Sequence, residues 1–368
     1  MYASSLILGA MALFLCQGIV ATPMTFRKRQ SMLSEPIYPQ KGSDPAYSVA
    51  EADLQAAIML PANFTYGVKM AVLLSPGTGV TGSQTFSGNF QKQLSNSSTM
   101  EPVVLNIPDN LLDDVQTNAE YVAYAINYVS GISNNKNVSI ITWSQGSIDM
   151  QWAVKYFTST RSAVSDFIAV SPDLKGSAIA GNISALGAIS IAPALWQQAN
   201  TSTLIATLRA NGGDAAIVPT TAIYSSADEV VKPQIGDTAS GFFQPGVGAS
   251  NSQVQTVCPN QAAGGNFTHE GMLYNSLAFA LAVDAMSNPG PANVNRLDLK
   301  TVCAAALSPG LTAADKSTTD ATIGEAAANI LAYTKGVTAE PPIKAYAAKD
   351  TPMKNVVVSK RNDMFIYV

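Results

Sequence analysis

Short aliphatic and β-branched runs recur along this chain, and stretches with helical spacing lie between them. Met70–Leu74, Val103–Ile107, Val138–Trp143, Phe167–Ser171 and Thr220–Tyr224 are largely apolar without the alternation of a half-exposed strand. A strand buried on both faces reads this way. Between and after them the pattern predicts helices over Asn118–Tyr128, Gln145–Phe157 and Ala321–Tyr333, and a long apolar stretch, Met272–Met286, that packs on the sheet. Strands alternating with helices argue for an α/β class: a mostly parallel sheet with helices on both faces. Pro341, Pro342 and Pro352 then break the periodicity, so the C-terminal segment is expected to run over the surface. No repeat is evident, and no linker demands a second domain.

The two ends read differently from the middle. Leu6 to Val20 is mostly apolar and is followed by Ala21 and Thr22. That is the form of a secretory signal peptide, residues 1–21, and it is short for a membrane span. Arg27-Lys28-Arg29 resembles a dibasic processing site, which makes residues 22–29 a propeptide and Gln30 the mature start, with residues 30–368 as one domain. Residues 1–29 hold these three positive charges and no acid, so their removal takes the formal charge from −4 to −7. Lys360-Arg361 is a second basic pair, where cleavage frees the tail Asn362 to Val368; an ordinary basic pair is the alternative. Six sequons, at Asn63, Asn96, Asn137, Asn182, Asn200 and Asn266, are candidates for glycosylation in a secreted chain. Hydrophobic residues make up 47% and charged residues 12%, enough for a sizeable core. The negative balance argues against a nucleic-acid partner.

His269 is the only histidine, so histidine-based catalysis has one candidate base, and no cluster of a common zinc site is present. Upstream, Thr142-Trp143-Ser144-Gln145-Gly146 joins an expected strand to an expected helix. Asp228 follows the Thr220–Tyr224 strand. Ser144, Asp228, His269 is the α/β-hydrolase order of nucleophile, acid and base. A nucleophile elbow needs small residues beside the serine. Gly146 meets that need, whereas Thr142 stands where the usual pattern has glycine. Glu229 and Asp173 could also be the acid by sequence logic alone, with Asp228 modestly favoured. Ser75-Pro76-Gly77-Thr78-Gly79-Val80-Thr81-Gly82 follows the first strand and lacks the spacing of a phosphate loop. The better reading is an oxyanion loop, with Thr78 and Gln145 giving the N–H donors. Outside the leader remain Cys258 and Cys303, an even pair in an oxidising compartment, for which one disulfide is the economical reading.

Taken together these segments resemble the Candida antarctica lipase B family of fungal secreted lipases. The resemblance rests on Gly42-Ser43-Asp44-Pro45-Ala46, Leu74-Ser75-Pro76-Gly77-Thr78-Gly79, Thr142-Trp143-Ser144-Gln145-Gly146, Ser171-Pro172-Asp173-Leu174-Lys175-Gly176, Leu195-Trp196-Gln197-Gln198, Ile217-Val218-Pro219-Thr220-Thr221 and Tyr224-Ser225 with Asp228-Glu229. It implies an α/β-hydrolase fold and ester hydrolysis, with Ser144 as nucleophile, His269 as base and Asp228 as acid. It also implies that the Thr78 hydroxyl adds to the oxyanion contacts and that Trp143 floors the alcohol side. Asp173 lies beside the acyl side, hydrogen-bonded to Gln198. The segment Lys175–Ala185, with Ile179 and Ile183 four apart, corresponds to a small mobile helix at the pocket mouth. Ile330 and Leu331 face it. The family pattern has three disulfides, and only the pair matching Cys258 and Cys303 is present here.

The expectation is a secreted lipase or carboxylesterase acting through an acyl-enzyme. It needs no metal or organic cofactor. It would be monomeric, with a lipid or ester substrate and at most transient contact with a lipid interface. The alternatives are a catalytically silent hydrolase-fold glycoprotein that binds a hydrophobic or cell-wall ligand, and an acyltransferase using the same triad.

Overall fold

The computed structural model describes residues 42–184 and 190–352. The leader, the dibasic site at 27–29, the pair at 360–361 and the Ile183 side chain lie outside the described residues. Among the described residues seven strands form one sheet: β1 (Ile58–Met59), β2 (Met70–Ser75), β3 (Met100–Leu105), β4 (Val138–Trp143), β5 (Val164–Val170), β6 (Thr220–Tyr224) and β7 (Ala249–Gln253), in the order β1-β3-β2-β4-β5-β6-β7. All neighbouring pairs are parallel except β1 with β3. This is the α/β-hydrolase arrangement expected from the sequence.

The five expected strands are all present. β4 and β6 keep the expected bounds, and the others move by one to three residues at an end. β1 is only two residues long, and β7 reads Ala-Ser-Asn-Ser-Gln, half-exposed at the sheet edge. An edge strand with one wet face carries no apolar run, so neither was visible in the hydrophobic pattern.

The helix between β3 and β4, α1 (Val115–Ile132), is buried along almost its whole length. Its Glu120 accepts from the Ser48 and Val49 N–H groups and from Lys344, tying both ends of the described chain to one helix. α2 (Gly146–Tyr156) follows β4. α3 (Ala178–Ser184) and α4 (Pro193–Gln197) lie between β5 and β6. The expected helix Met272–Met286 is a 3-10 turn, Gly271–Tyr274, then α5 (Ser276–Ser287). The side chain of Asn275 caps α5 by accepting from Ala278 N–H, so the helix starts where that cap stands. α6 (Ala313–Asp320) went unseen in a polar sequence. It opens on a capping box in which Thr312 and Asp315 exchange hydrogen bonds. α7 (Thr322–Ala332) matches the expected Ala-rich helix. The segment after it does run over the surface: Tyr346 accepts from Trp152 Nε1 at 3.0 Å, and Asp350 meets Lys155 at 3.3 Å.

The chain reverses direction across the sheet between β2 and β4: β3 lies on one side of β2 and β4 on the other. At such a switch point two crossovers leave in opposite directions and open a crevice at the carboxyl ends of the strands. The loop after β2 and the turn after β4 both stand there, with Ser75 beside Thr142 in register.

Candidate active site

Ser144 occupies the left-handed region, with φ 55°. That is uncommon for a residue with a side chain and persists only where the surroundings impose it. Here its N–H donates to Val170 O of β5 at 3.1 Å, and Gly146 begins α2 directly. A side chain at Gly146 would have its Cβ 2.5 Å from Pro76 O; one at Gly77 would meet the Trp143 ring at 2.7 Å and Ser144 Cβ at 2.9 Å. Both glycines are therefore required for the β2 loop and the serine turn to touch. Thr142 is accommodated because its hydroxyl is buried against Ser147 Oγ at 2.7 Å.

Of the three candidate acids, Asp228 reaches the imidazole. Its Oδ2 lies 2.7 Å from His269 Nδ1, and its Oδ1 accepts from the N–H groups of Val230 and Val231 at 2.9 and 2.8 Å. Glu229 instead accepts from the backbone N–H of His269 at 3.2 Å. Asp173 is buried, and its Oδ1 has no partner among the described residues. Burial lifts its carboxyl to about 7, with His269 pulling down and Asp228 pushing up. Burial works against charge on His269, but Asp228, by charge and by hydrogen bond, outweighs it and holds the imidazole above its ordinary value. His269 Nε2 is left buried without a partner among the described residues. It is the ring nitrogen free to serve a hydroxyl. Trp143 Nε1 and Ser171 Oγ both donate to the His269 carbonyl, at 3.1 and 2.9 Å, and the Trp143 and His269 ring centres are 4.9 Å apart.

The described residues also show one support that the sequence did not reveal. Gln255 donates to Ser225 Oγ at 2.8 Å and to Gly265 O at 2.9 Å, joining the turn that carries Asp228 to the loop that carries His269. The disulfide expected from the sequence, Cys258 with Cys303, is formed across a separation of 45 residues.

On the β2 loop the Thr78 hydroxyl donates to Gln145 Oε1 at 2.6 Å and lies 3.0 Å from Gln198 Oε1. Gln145 stands just before α2, so its own N–H is outside the helical ladder. The expected bond between Asp173 and Gln198 is not formed. Both amide hydrogens of Gln198 are taken, by Gln145 Oε1 at 2.9 Å and Ala194 O at 3.1 Å. Ile179 is partly exposed, Ile330 is half-buried, and Leu331 projects into solvent. All six sequon asparagines are exposed. Among the described residues no three His, Cys, Asp or Glu side chains cluster as a metal site would require.

No protein-family model matches the chain. Lipase B of Pseudozyma antarctica is 35% identical over 290 residues, which cover 74% of this chain and 82% of that protein. The chain belongs to the lipase B family. The crystal structure of Aspergillus fumigatus lipase B agrees: 47% identity, a TM-score of 0.80, and coverage of 83% of this chain and 74% of that one. As a member of the lipase B family, the chain is a carboxylic ester hydrolase of the lipase type.

Proposed function

We propose that this member of the lipase B family is a secreted enzyme that cleaves hydrophobic acyl esters, triacylglycerols among them, with Ser144, His269 and Asp228 as its triad. The observation that carries the reading is the Asp228–His269 pair at 2.7 Å, set beside Ser144, whose φ is positive in the turn after β4 at the switch point. Ser144 Oγ attacks the ester carbonyl while His269 Nε2 takes its proton. Asp228 holds the imidazole with Nδ1 protonated and stabilises the imidazolium. The N–H groups of Thr78 and Gln145 receive the oxyanion, each worth roughly 3–4 kcal/mol. His269 returns the proton to the leaving alkoxide, and water then repeats the sequence on the acyl-enzyme. Secretion is supported by the apolar segment Leu6 to Val20, the exposed sequons and the Cys258–Cys303 bond. Among the described residues no helix is long and apolar enough to cross a membrane.

The test is a fluorophosphonate probe on the chain secreted from a eukaryotic host, alongside p-nitrophenyl esters of increasing length and an emulsified triglyceride. Labelling at Ser144 with ester turnover is expected. A folded protein that neither labels nor turns over any ester would leave a silent hydrolase-fold glycoprotein as the answer.

A further inference from the structure

Asp109, Asn110 and Leu111, between β3 and α1, all lie in the left-handed region, with φ 52°, 54° and 57°. Residues there are ordinarily glycine, or a single Asn or Asp, so a run that ends on an aliphatic side chain is strained. Among the described residues it is the longest such run of residues with side chains. Strain of this kind persists only where the surroundings impose it, and it gathers at functional sites. Here several groups impose it. Leu111 is fully buried. Asn118, on α1, donates to Leu111 O at 3.1 Å and to Asp113 O at 3.2 Å. Ala194, on α4, donates its N–H to Leu112 O at 3.2 Å, and Lys335 meets Asp109 at 2.7 Å.

Two neighbouring carbonyls of this turn receive the two segments of the oxyanion side. Asn110 O accepts the Gly79 N–H at 2.8 Å. Leu111 O accepts from Gln145 Nε2 at 3.0 Å. The Gly79 N–H shares a peptide plane with the Thr78 carbonyl, so the first bond fixes the main chain beside Thr78. The Thr78 hydroxyl donates to Gln145 Oε1 at 2.6 Å, so the second bond fixes the Thr78 side chain through Gln145. The hand of the turn decides where these carbonyls point. Moving Asn110 from 54° to the roughly −65° that proline imposes rotates the adjoining peptide planes by about 120° relative to each other. The pinned turn cannot make that change and keep both bonds.

We propose that Asn110 and Leu111 are positioning residues for the ester hydrolysis proposed above: their main-chain carbonyls, aimed by the left-handed turn, hold Thr78 and Gln145 where the oxyanion forms. They touch no reacting atom. What matters at position 110 is the hand of the backbone and not the amide side chain.

The experiment compares the full secreted chain with Asn110→Gly, Asn110→Val and Asn110→Pro on soluble p-nitrophenyl butyrate. Glycine takes the left-handed conformation freely, valine takes it only under strain, and proline cannot take it. The Gly variant is expected to keep kcat within about twofold. The Val and Pro variants are expected to lose about tenfold or more in kcat with KM within about threefold, a part of what losing a whole oxyanion donor costs. A folded Val or Pro variant with wild-type kcat, a loss that falls on KM alone, or a Gly variant that loses about tenfold overturns the proposal. Should the proline chain fail to fold, glycine and valine carry the test. Amide hydrogen exchange gives a second reading that needs no activity. In Asn110→Val, exchange at Gly79 should rise about tenfold or more while Ile140 of β4 and Ile168 of β5 stay at their wild-type rates. Unchanged exchange at Gly79, or a rise shared by the sheet, overturns the proposal. A wild type that turns over no ester would instead count against the enzymatic reading, and exchange would still decide whether the turn holds the loop.

Discussion

Asp228 and His269 meet at 2.7 Å with the carboxylate already held in place. One oxygen takes the N–H groups of Val230 and Val231, which fixes the plane of the carboxyl and leaves the other for Nδ1. Glu229, next in sequence, takes the His269 backbone N–H and leaves the ring alone. Neighbouring acids thus hold different parts of one residue, its ring and its main chain.

Asp228→Asn should lower kcat by about 10⁴ by favouring the wrong imidazole tautomer. Glu229→Gln keeps an acceptor for the backbone and should cost less than about tenfold. Steady-state kinetics with circular dichroism checks both. A Glu229→Gln loss equal to that of Asp228→Asn would reassign the acid.

Ser144→Ala and His269→Ala should each reduce turnover by about 10⁴ to 10⁶, and the double variant should be hardly worse, because the members act as a unit. The measurement is kcat on a p-nitrophenyl ester with active-site titration. A well-folded His269→Ala protein with more than a few per cent of activity would remove the base from the scheme.

The acid limb of kcat/KM reports protonation of His269 in the free enzyme. Since Asp228, Asp173 and Glu229 together hold that imidazole above its ordinary value, the limb should fall above about pH 6.5. Asp173→Asn removes one of these charges and should move the limb toward acid with kcat largely kept. A limb that stays in place would mean that Asp173 does not sense the histidine. The same shift has a stability side. A protonated His269 contributes stability that is complete below the ordinary imidazole value and is lost as pH rises through the raised one. The wild-type advantage in melting temperature over Asp228→Asn should shrink across that window.

The parts of this site that follow backbone rules were legible before the structure. β4, the turn at Ser144 and α2 could be placed because an apolar run, a small residue and a helix must succeed one another there. Asp228 could be favoured only as one of three acids, since no sequence rule says which loop carboxylate turns toward a distant ring. Gln255 was invisible for a related reason: its two partners, Ser225 and Gly265, flank it at a distance in sequence and meet only through the fold. The Asp173–Gln198 bond was expected from the resemblance. It is missing because the Gln198 amide is already engaged by Gln145 and Ala194.

Cys258 and Cys303 close a span of 45 residues, which the chain-entropy model values at about 4 kcal/mol as an upper figure. Cys258→Ala with Cys303→Ala should lower the melting temperature by several degrees. The first amides to gain hydrogen exchange should lie between Gly265 and His269, because Gly264 packs on the Cys258 backbone. Exchange that rises uniformly over the sheet would show that the bond serves the whole fold and not this loop.

Leu331 is 87% exposed on α7. α7 packs on the loop after β2: Asn329 Nδ2 donates to Gly79 O at 2.8 Å, and a Cβ at Gly79 would lie 2.8 Å from Ala326 O. Ile179, on α3, is 37% exposed. Its helix is tied to the other side of the site through Ser177 N–H to Gln198 O at 2.9 Å and Ala178 N–H to Lys232 O at 3.0 Å. Neither side chain belongs to the core, so Leu331→Asp and Ile179→Asp should change stability by no more than about 0.5 kcal/mol, as surface substitutions do. A long acyl chain gains about 0.8 kcal/mol for each methylene it buries, and a carboxylate in its path removes part of that gain. Activity on emulsified long-chain triglyceride should fall by about tenfold or more while acetate ester hydrolysis stays within about twofold. Paired assays on the two substrates with a melting curve decide the matter. Equal losses on both substrates would place the acyl path elsewhere, and a lowered melting temperature would return these residues to the fold.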